Sequence, residues 1–220
     1  DVTLLGMTMH AGEQLLNTKV DPFTLLDQVD QAVSLGTDRI GHALILGIEP
    51  EILVQKGRLD RADVEKFRIR QREVVDRVRS RGVVIETNLS SNTEISNLTQ
   101  GEHPAGTFAR EGLRVTVNTD DETVLSTTIE REFERVSRAR GVTRDDLATM
   151  MLEGYRSRMG NRELHQRGRI RNVMINALSA DLSPTELEAL VAHLASYFHV
   201  SPAGSARGTI IRVVDTALGI

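Results

Sequence analysis

Met7-Thr8-Met9-His10-Ala11-Gly12-Glu13 closes an apolar run that begins at Val2 and delivers a histidine and a carboxylate to one abrupt turn. Three later strand-like runs end the same way. Arg39-Ile40-Gly41-His42 stops in a histidine, Val84-Ile85-Glu86-Thr87-Asn88 in polar residues, and Val115-Thr116-Val117-Asn118-Thr119-Asp120-Asp121 in paired aspartates. Buried strands whose C-terminal ends all carry His, Asp or Glu predict a parallel barrel with its chemistry on one rim.

The segments between these runs agree. Asp21-Pro22 is an N-cap candidate followed by proline in the first turn. Phe23, Leu25, Leu26, Val29, Ala32 and Val33 then recur at helical spacing up to a stop at Gly36. Leu59 to Arg81 reads as a second helix, closed by Gly82, with a charged outer face taken to be solvated. Leu89 to Gly101, rich in Ser, Asn and Thr, reads as a loop, and a short helix after His103-Pro104 ends near Gly112. Ile129 to Arg140 is a charged helix closed by Gly141, and Thr143 with Asp146 forms a capping-box pattern for a helix to about Met159. The order is βαβαβαβα, which implies parallel strands with crossover helices.

Beyond a basic, polar connector from Gly160 to Arg171, Ser183-Pro184-Thr185-Glu186 caps a helix to His199 whose stripe is Leu187, Leu190, Val191, Leu194 and Phe198. Such a stripe must be buried, against the barrel or in an oligomer contact. Thr209 to Leu218 is a last apolar segment, helix or strand. The expected division is a barrel portion over 1–160 and a helical extension over 161–220.

Composition narrows the function classes. With 40% hydrophobic residues the chain has enough for a normal core. A formal net charge of -4 with no basic block gives no footprint for nucleic acid, and two Tyr, five Phe and no Trp provide no base-stacking platform. No apolar run approaches the ~20 residues that span a bilayer. No cysteine is present, so disulfides and thiolate metal sites are excluded, which favours a cytoplasmic setting.

In order, the four rim motifs resemble the C-terminal half of the catalytic domain of the adenosine and AMP deaminase family, metal-dependent hydrolases on a TIM (β/α)8 barrel. Met9 to Glu13 resembles the family's fifth-strand His-Ala-Gly-Glu, and Arg39 to His42 its sixth-strand Arg-Ile-Gly-His. Glu86 to Asn92 is similar to the seventh-strand segment, with Thr87-Asn88 where the family has Cys-Pro. His103-Pro104 and Asn118 to Asp121 resemble the approach to strand eight and its Thr-Asp-Asp ending. The resemblance covers roughly residues 1 to 160.

The resemblance implies a zinc-dependent deamination of an adenine nucleoside or nucleotide to the inosine form, with release of ammonia. It makes His10 and Asp120 metal ligands, Glu13 and His42 catalytic groups beside the purine, and Gly12 and Asp121 substrate contacts. Zinc lowers the pKa of bound water to about 7. His42 would orient or deprotonate that water, and Glu13, held protonated, would act as an acid toward ring N1. Glu86, Asn88 and Ser90 read as hydrogen-bonders of the rim, His103 as shaping a loop or supporting the site from behind, and His165, His193 and His199 as structural or surface residues.

The departures carry expectations of their own. The family's first strand brings a His-X-His pair, and no two of the six histidines here stand two apart. Ala43 stands where glycine is usual, and Glu122 where proline is. Four strands cannot close an eight-stranded barrel, so an apolar inner face would be left open, to be completed by an N-terminal half in the same or a separate chain. The alternative reading is a deaminase-like binding or assembly subunit without metal, or a component of a large antiphage-type adenosine deaminase.

Overall fold

The computed structural model describes residues 6–16, 18–157 and 174–219. The start of the first apolar run, the connector from 160 to 171 and His165 lie outside the described residues. The chain divides into two compact units, Asp1–Leu147 and Ala148–Ile220.

The first unit holds four parallel strands in chain order: β1 (Thr8–Ala11), β2 (Arg39–His42), β3 (Val84–Thr87) and β4 (Arg114–Val117). The helices are α1 (Pro22–Ser34), α2 (Pro50–Gln55), α3 (Val64–Arg81), α4 (Leu89–Ile95), α5 (Ala105–Arg110), α6 (Glu122–Leu125) and α7 (Ile129–Ser137), and α8 (Arg144–Arg156) runs on into the second unit. This is the α/β order of a half (β/α)8 barrel. The local signals act as read. The Asp21 carboxylate accepts from the backbone N–H of Phe23 and Thr24 at 3.0 and 3.1 Å, with Pro22 in the first turn. Gly82 ends α3 in the left-handed region, which glycine occupies without steric cost.

Two readings change. The outer face of α3 is more than a solvated one, because Arg70 reaches Asp27 and Asp30 on α1 at 2.7 and 2.8 Å, and Arg77 reaches Asp30 at 2.6 Å. The Leu89 to Gly101 stretch contains a helix, α4, with Leu89, Ser90, Ser91 and Asn92 all buried. Its polar side chains find partners in neighbouring elements, so composition that suits a solvated loop is satisfied inside a helix.

Alternation and the strand register together place Thr8, His10, Arg39, Gly41, Val84, Glu86, Arg114 and Thr116 on one face of the sheet. Instead of the expected apolar inner face, the layer is polar apart from Val84: Arg39 Nε donates to Glu86 Oε1 at 2.5 Å, and Asn118 Nδ2 to Thr116 Oγ1 at 2.9 Å. Ile40, Ile85, Val115 and Val117 face the other way and are buried.

In the second unit Leu190, Val191, Leu194 and Phe198 of the helix Pro184–Tyr197 and its C-cap pack with Leu152, Met174, Ile175 and Leu178, and with Ile210, Val213 and Val214 of the helix Ala206–Leu218. The stripe is therefore buried within this unit's own core. Ser183 and Glu186 form the reciprocal cap that the sequence announces. Among the described residues, no helix is long and apolar enough to cross a membrane.

Candidate active site

Three strand ends and the segment after β4 supply the rim. The His10 ring lies over Gly41, its register partner on β2: a Cβ at Gly41 would stand 2.6 Å from His10 Cδ2 and 3.0 Å from Nε2. Glycine at this place lets the imidazole cross the neighbouring strand. The chain then turns at buried Gly12, where φ is +67° and a Cβ would meet Ile45 Cγ2 at 2.7 Å and Val29 Cγ2 at 2.8 Å. That turn leaves Glu13 half-buried, and its carbonyl oxygen accepts from Ser96 Oγ at 2.6 Å.

β2 ends in two successive left-handed residues, His42 at φ 71° and Ala43 at φ 47°. Each such non-glycine residue costs roughly 1–2 kcal/mol. The conformation is held by the Ala43 N–H donating to Ala11 O at 3.1 Å and by burial of Leu44, Ile45 and Leu46 behind it. Its effect is to fold the buried His42 ring back to the rim. His42 Nε2 lies 3.4 Å from Glu13 Oε1, and the rings of His10 and His42 meet edge-on at 4.7 Å between centroids. One donor atom each from His10, Glu13 and His42 falls within 4.8 Å of the other two, a grouping that could hold a divalent ion.

The charges are arranged unevenly. Burial raises the Glu13 carboxyl above its usual range, with His10 opposing and Asp120 adding to the effect. Burial, helped by His10 and opposed by Asp120, lowers His42 to about 4, so this ring is neutral near pH 7. Asp120 stands outside the close trio, in a left-handed conformation of φ 59°, yet near enough for its charge to act on both groups. Asp121 caps α6: its Oδ1 accepts from the backbone N–H of Thr123 and Val124 at 3.1 and 2.9 Å.

Behind His42 lies a network that the sequence did not reveal. Asn92 Nδ2 is 2.7 Å from His42 Nδ1, and Asn88 Nδ2 is 3.5 Å from the same nitrogen. Asn92 Oδ1 is 3.0 Å from His103 Nε2, and His103 Nδ1 accepts from the Ala105 backbone N–H at 3.2 Å. Of the two readings of His103, the structure favours the one that supports the site from behind, and burial lowers its ring to about 3, with His42 contributing. Asn88 and Asn92 stand four apart, so recognising α4 as a helix would have put both amides on one face. Glu86 is engaged by Arg39, and Ser90 by Glu132, whose buried carboxylate accepts from the Ser90 N–H at 3.0 Å and from Thr127 Oγ1 at 2.7 Å.

A family model described as adenosine deaminase matches residues 4–173. An adenosine deaminase of Vibrio atlanticus is 28% identical over 162 residues, covering 73% of this chain and 40% of that relative, and one of Shewanella halifaxensis is 30% identical over 129 residues, covering 58% and 30%. The chain thus spans well under half the length of these curated relatives. In the apo structure of the N6-methyl-AMP deaminase of Arabidopsis thaliana, 78% of this chain and 41% of that one superpose with a TM-score of 0.52 at 17% identity. An amidohydrolase of Burkholderia ambifaria with bound Zn gives 0.53 at 21% identity, covering 85% and 43%. At these identities the solved structures establish likeness of fold.

Proposed function

The chain belongs to the adenosine deaminase family, and from that premise we propose that it carries the purine-facing part of a zinc-dependent site that removes the 6-amino group of an adenine nucleoside or nucleotide. The observation that carries the reading is the close grouping of His10, Glu13 and His42 at one rim, with the Glu13 carboxyl raised by burial. A carboxyl whose protonated form is favoured by burial is what an acid acting on a weakly basic ring nitrogen requires.

Imidazole and carboxylate are ordinary zinc ligands, and His10 and Asp120 suit the role, since both act on the same two neighbours electrostatically. Zinc sites take at least three protein ligands, so the remainder would come from outside these residues. When bound, the ion would supply a hydroxide nucleophile at neutral pH. Glu13 gives its proton to ring N1 as oxygen adds to C6, which leaves C6 tetrahedral. The hydroxyl proton then passes to the amino nitrogen as the C6–N bond breaks, so that ammonia departs and the oxygen remains as the carbonyl of the inosine form. His42 sits beside Glu13 to hold the incoming oxygen, and the tight turn at Gly12, which no side chain would fit, sets Glu13 at the rim. Asp121 Oδ2, which has no protein hydrogen bond among the described residues, is free to meet the imidazole edge of the purine.

The test is zinc content together with ammonia release from adenosine, AMP and N6-methyl-AMP, using the longest natural form of the protein and a His10→Ala control. Bound zinc and ammonia release that the control abolishes are the expected results. A folded protein with neither zinc nor turnover would favour a second reading, a binding or assembly subunit.

A further inference from the structure

The hydrogen-bond chain behind His42 begins at a group whose role is fixed. A backbone N–H only donates, so His103 Nδ1, which meets the Ala105 N–H at 3.2 Å, must accept and carries no proton. The ring of His103, buried and neutral, then bears its proton on Nε2 and donates it to the atom of Asn92 that lies 3.0 Å away. That atom must be the carbonyl oxygen, which settles which way the amide points. The Asn92 NH2 is left facing His42 Nδ1 at 2.7 Å as a donor, with the Asn88 NH2 at 3.5 Å approaching the same nitrogen. Nδ1 of His42 can only accept.

We propose that His103 and Asn92 are positioning residues that lock His42 as its Nε2–H tautomer, so that His42 presents a hydrogen-bond donor to the reacting oxygen and does not act as the base that deprotonates it. The lock follows from the geometry alone. Its catalytic consequence rests on the proposed deaminase reading, in which His42 Nε2, 3.4 Å from Glu13 Oε1, faces the oxygen that adds to C6. A donor there holds a hydroxide in line and bonds more strongly to the oxygen while it is anionic. The proton needed at N1 then comes from Glu13, and no proton passes through His42.

The experiment is long-range 1H–15N correlation of the imidazole rings in the uniformly 15N-labelled protein near pH 7, with His42 assigned by the signals lost in His42→Gln. The expected pattern is a protonated Nε2 and a bare Nδ1 for both His42 and His103. Asn92→Asp replaces the donor at His42 by an acceptor, and should move the His42 proton to Nδ1 while His103, pinned by Ala105, is unchanged. Where turnover is measured, the same variant should lower kcat by up to about 10⁴-fold, the loss that a wrong histidine tautomer causes in a catalytic triad, with a much smaller change in KM. A wild-type His42 protonated on Nδ1 would overturn the proposal without any variant, and so would an unchanged His42 tautomer in folded Asn92→Asp. If the tautomers are as stated and no form releases ammonia, the lock stands and the deaminase reading fails.

Discussion

Glu13 and His103 are both pushed by burial toward their neutral forms, and the two shifts have different consequences. For Glu13 the consequence, on the deaminase reading proposed above, is catalytic. Glu13→Gln keeps the shape and the half-burial but has no proton to give, so kcat should drop on the order of 10² to 10⁴. Stability in urea should be equal or higher, because a carboxyl that burial disfavours has been removed. A variant with full activity would dismiss Glu13 as the acid. For His103 the consequence is acid sensitivity. Its pKa is about 3 in the folded protein against an ordinary value of 6.5, so below pH 6.5 the unfolded chain takes up a proton that the native state refuses. Stability is therefore lost as pH falls from 6.5 toward 3, by about 1.4 kcal/mol per pH unit from this one ring. Above pH 6.5 the ring contributes no slope. Urea midpoints at pH 7, 6 and 5 would show the slope, and His103→Gln should flatten it by that amount; an unaltered slope would mean that His103 titrates normally.

Element α4 connects these residues. Its first turn is tied to the Glu132 carboxylate through Ser90, its middle presents Asn92 to both histidines, and its C-cap Ser96 holds the Glu13 carbonyl. Glu132→Ala would strand the Ser90 N–H and the Ser90 and Thr127 hydroxyls in the interior. The expected loss is about 3 kcal/mol, with a smaller loss for Glu132→Gln, which keeps one acceptor. Equal denaturant midpoints for wild type and Glu132→Ala would show that Glu132 does not anchor the helix. This is also the element that could not be read from sequence. Strand ends such as Gly41-His42 and caps such as Asp21-Pro22 and Ser183-Pro184 were legible because local sterics and local hydrogen bonds decide them. In α4 the deciding partners lie far along the chain, Glu132 and His42 among them, so Ser-Ser-Asn-Thr looks like a loop until the fold supplies its acceptors. The residues behind His42 were hidden for the same reason: Asn92 reaches it, and His103 reaches Asn92, only through tertiary structure.

Across the first unit, the sheet joins distant stretches of chain, with His10 on β1 at one end of the strand order and Asp120 just past β4 at the other. The polar layer on the His10 face, built around the Arg39–Glu86 pair, holds the strands without an apolar seal, so a ligand that reaches from His10 to Asp120 has room to add stability. An ion present at a hundred times its Kd stabilises by about 2.7 kcal/mol. For a unit of 147 residues that is a rise in Tm of roughly 5–10 °C. Thermal melts with added zinc, and again with a chelator, should differ by that much, and the difference should vanish in His10→Ala and Asp120→Asn. Gly41→Ala is the sharper probe, because its methyl group would stand against the His10 ring without removing a ligand. If Gly41→Ala folds and still gains the full rise with zinc, the ion is not held by His10, and the metal must be sought at other residues of the rim.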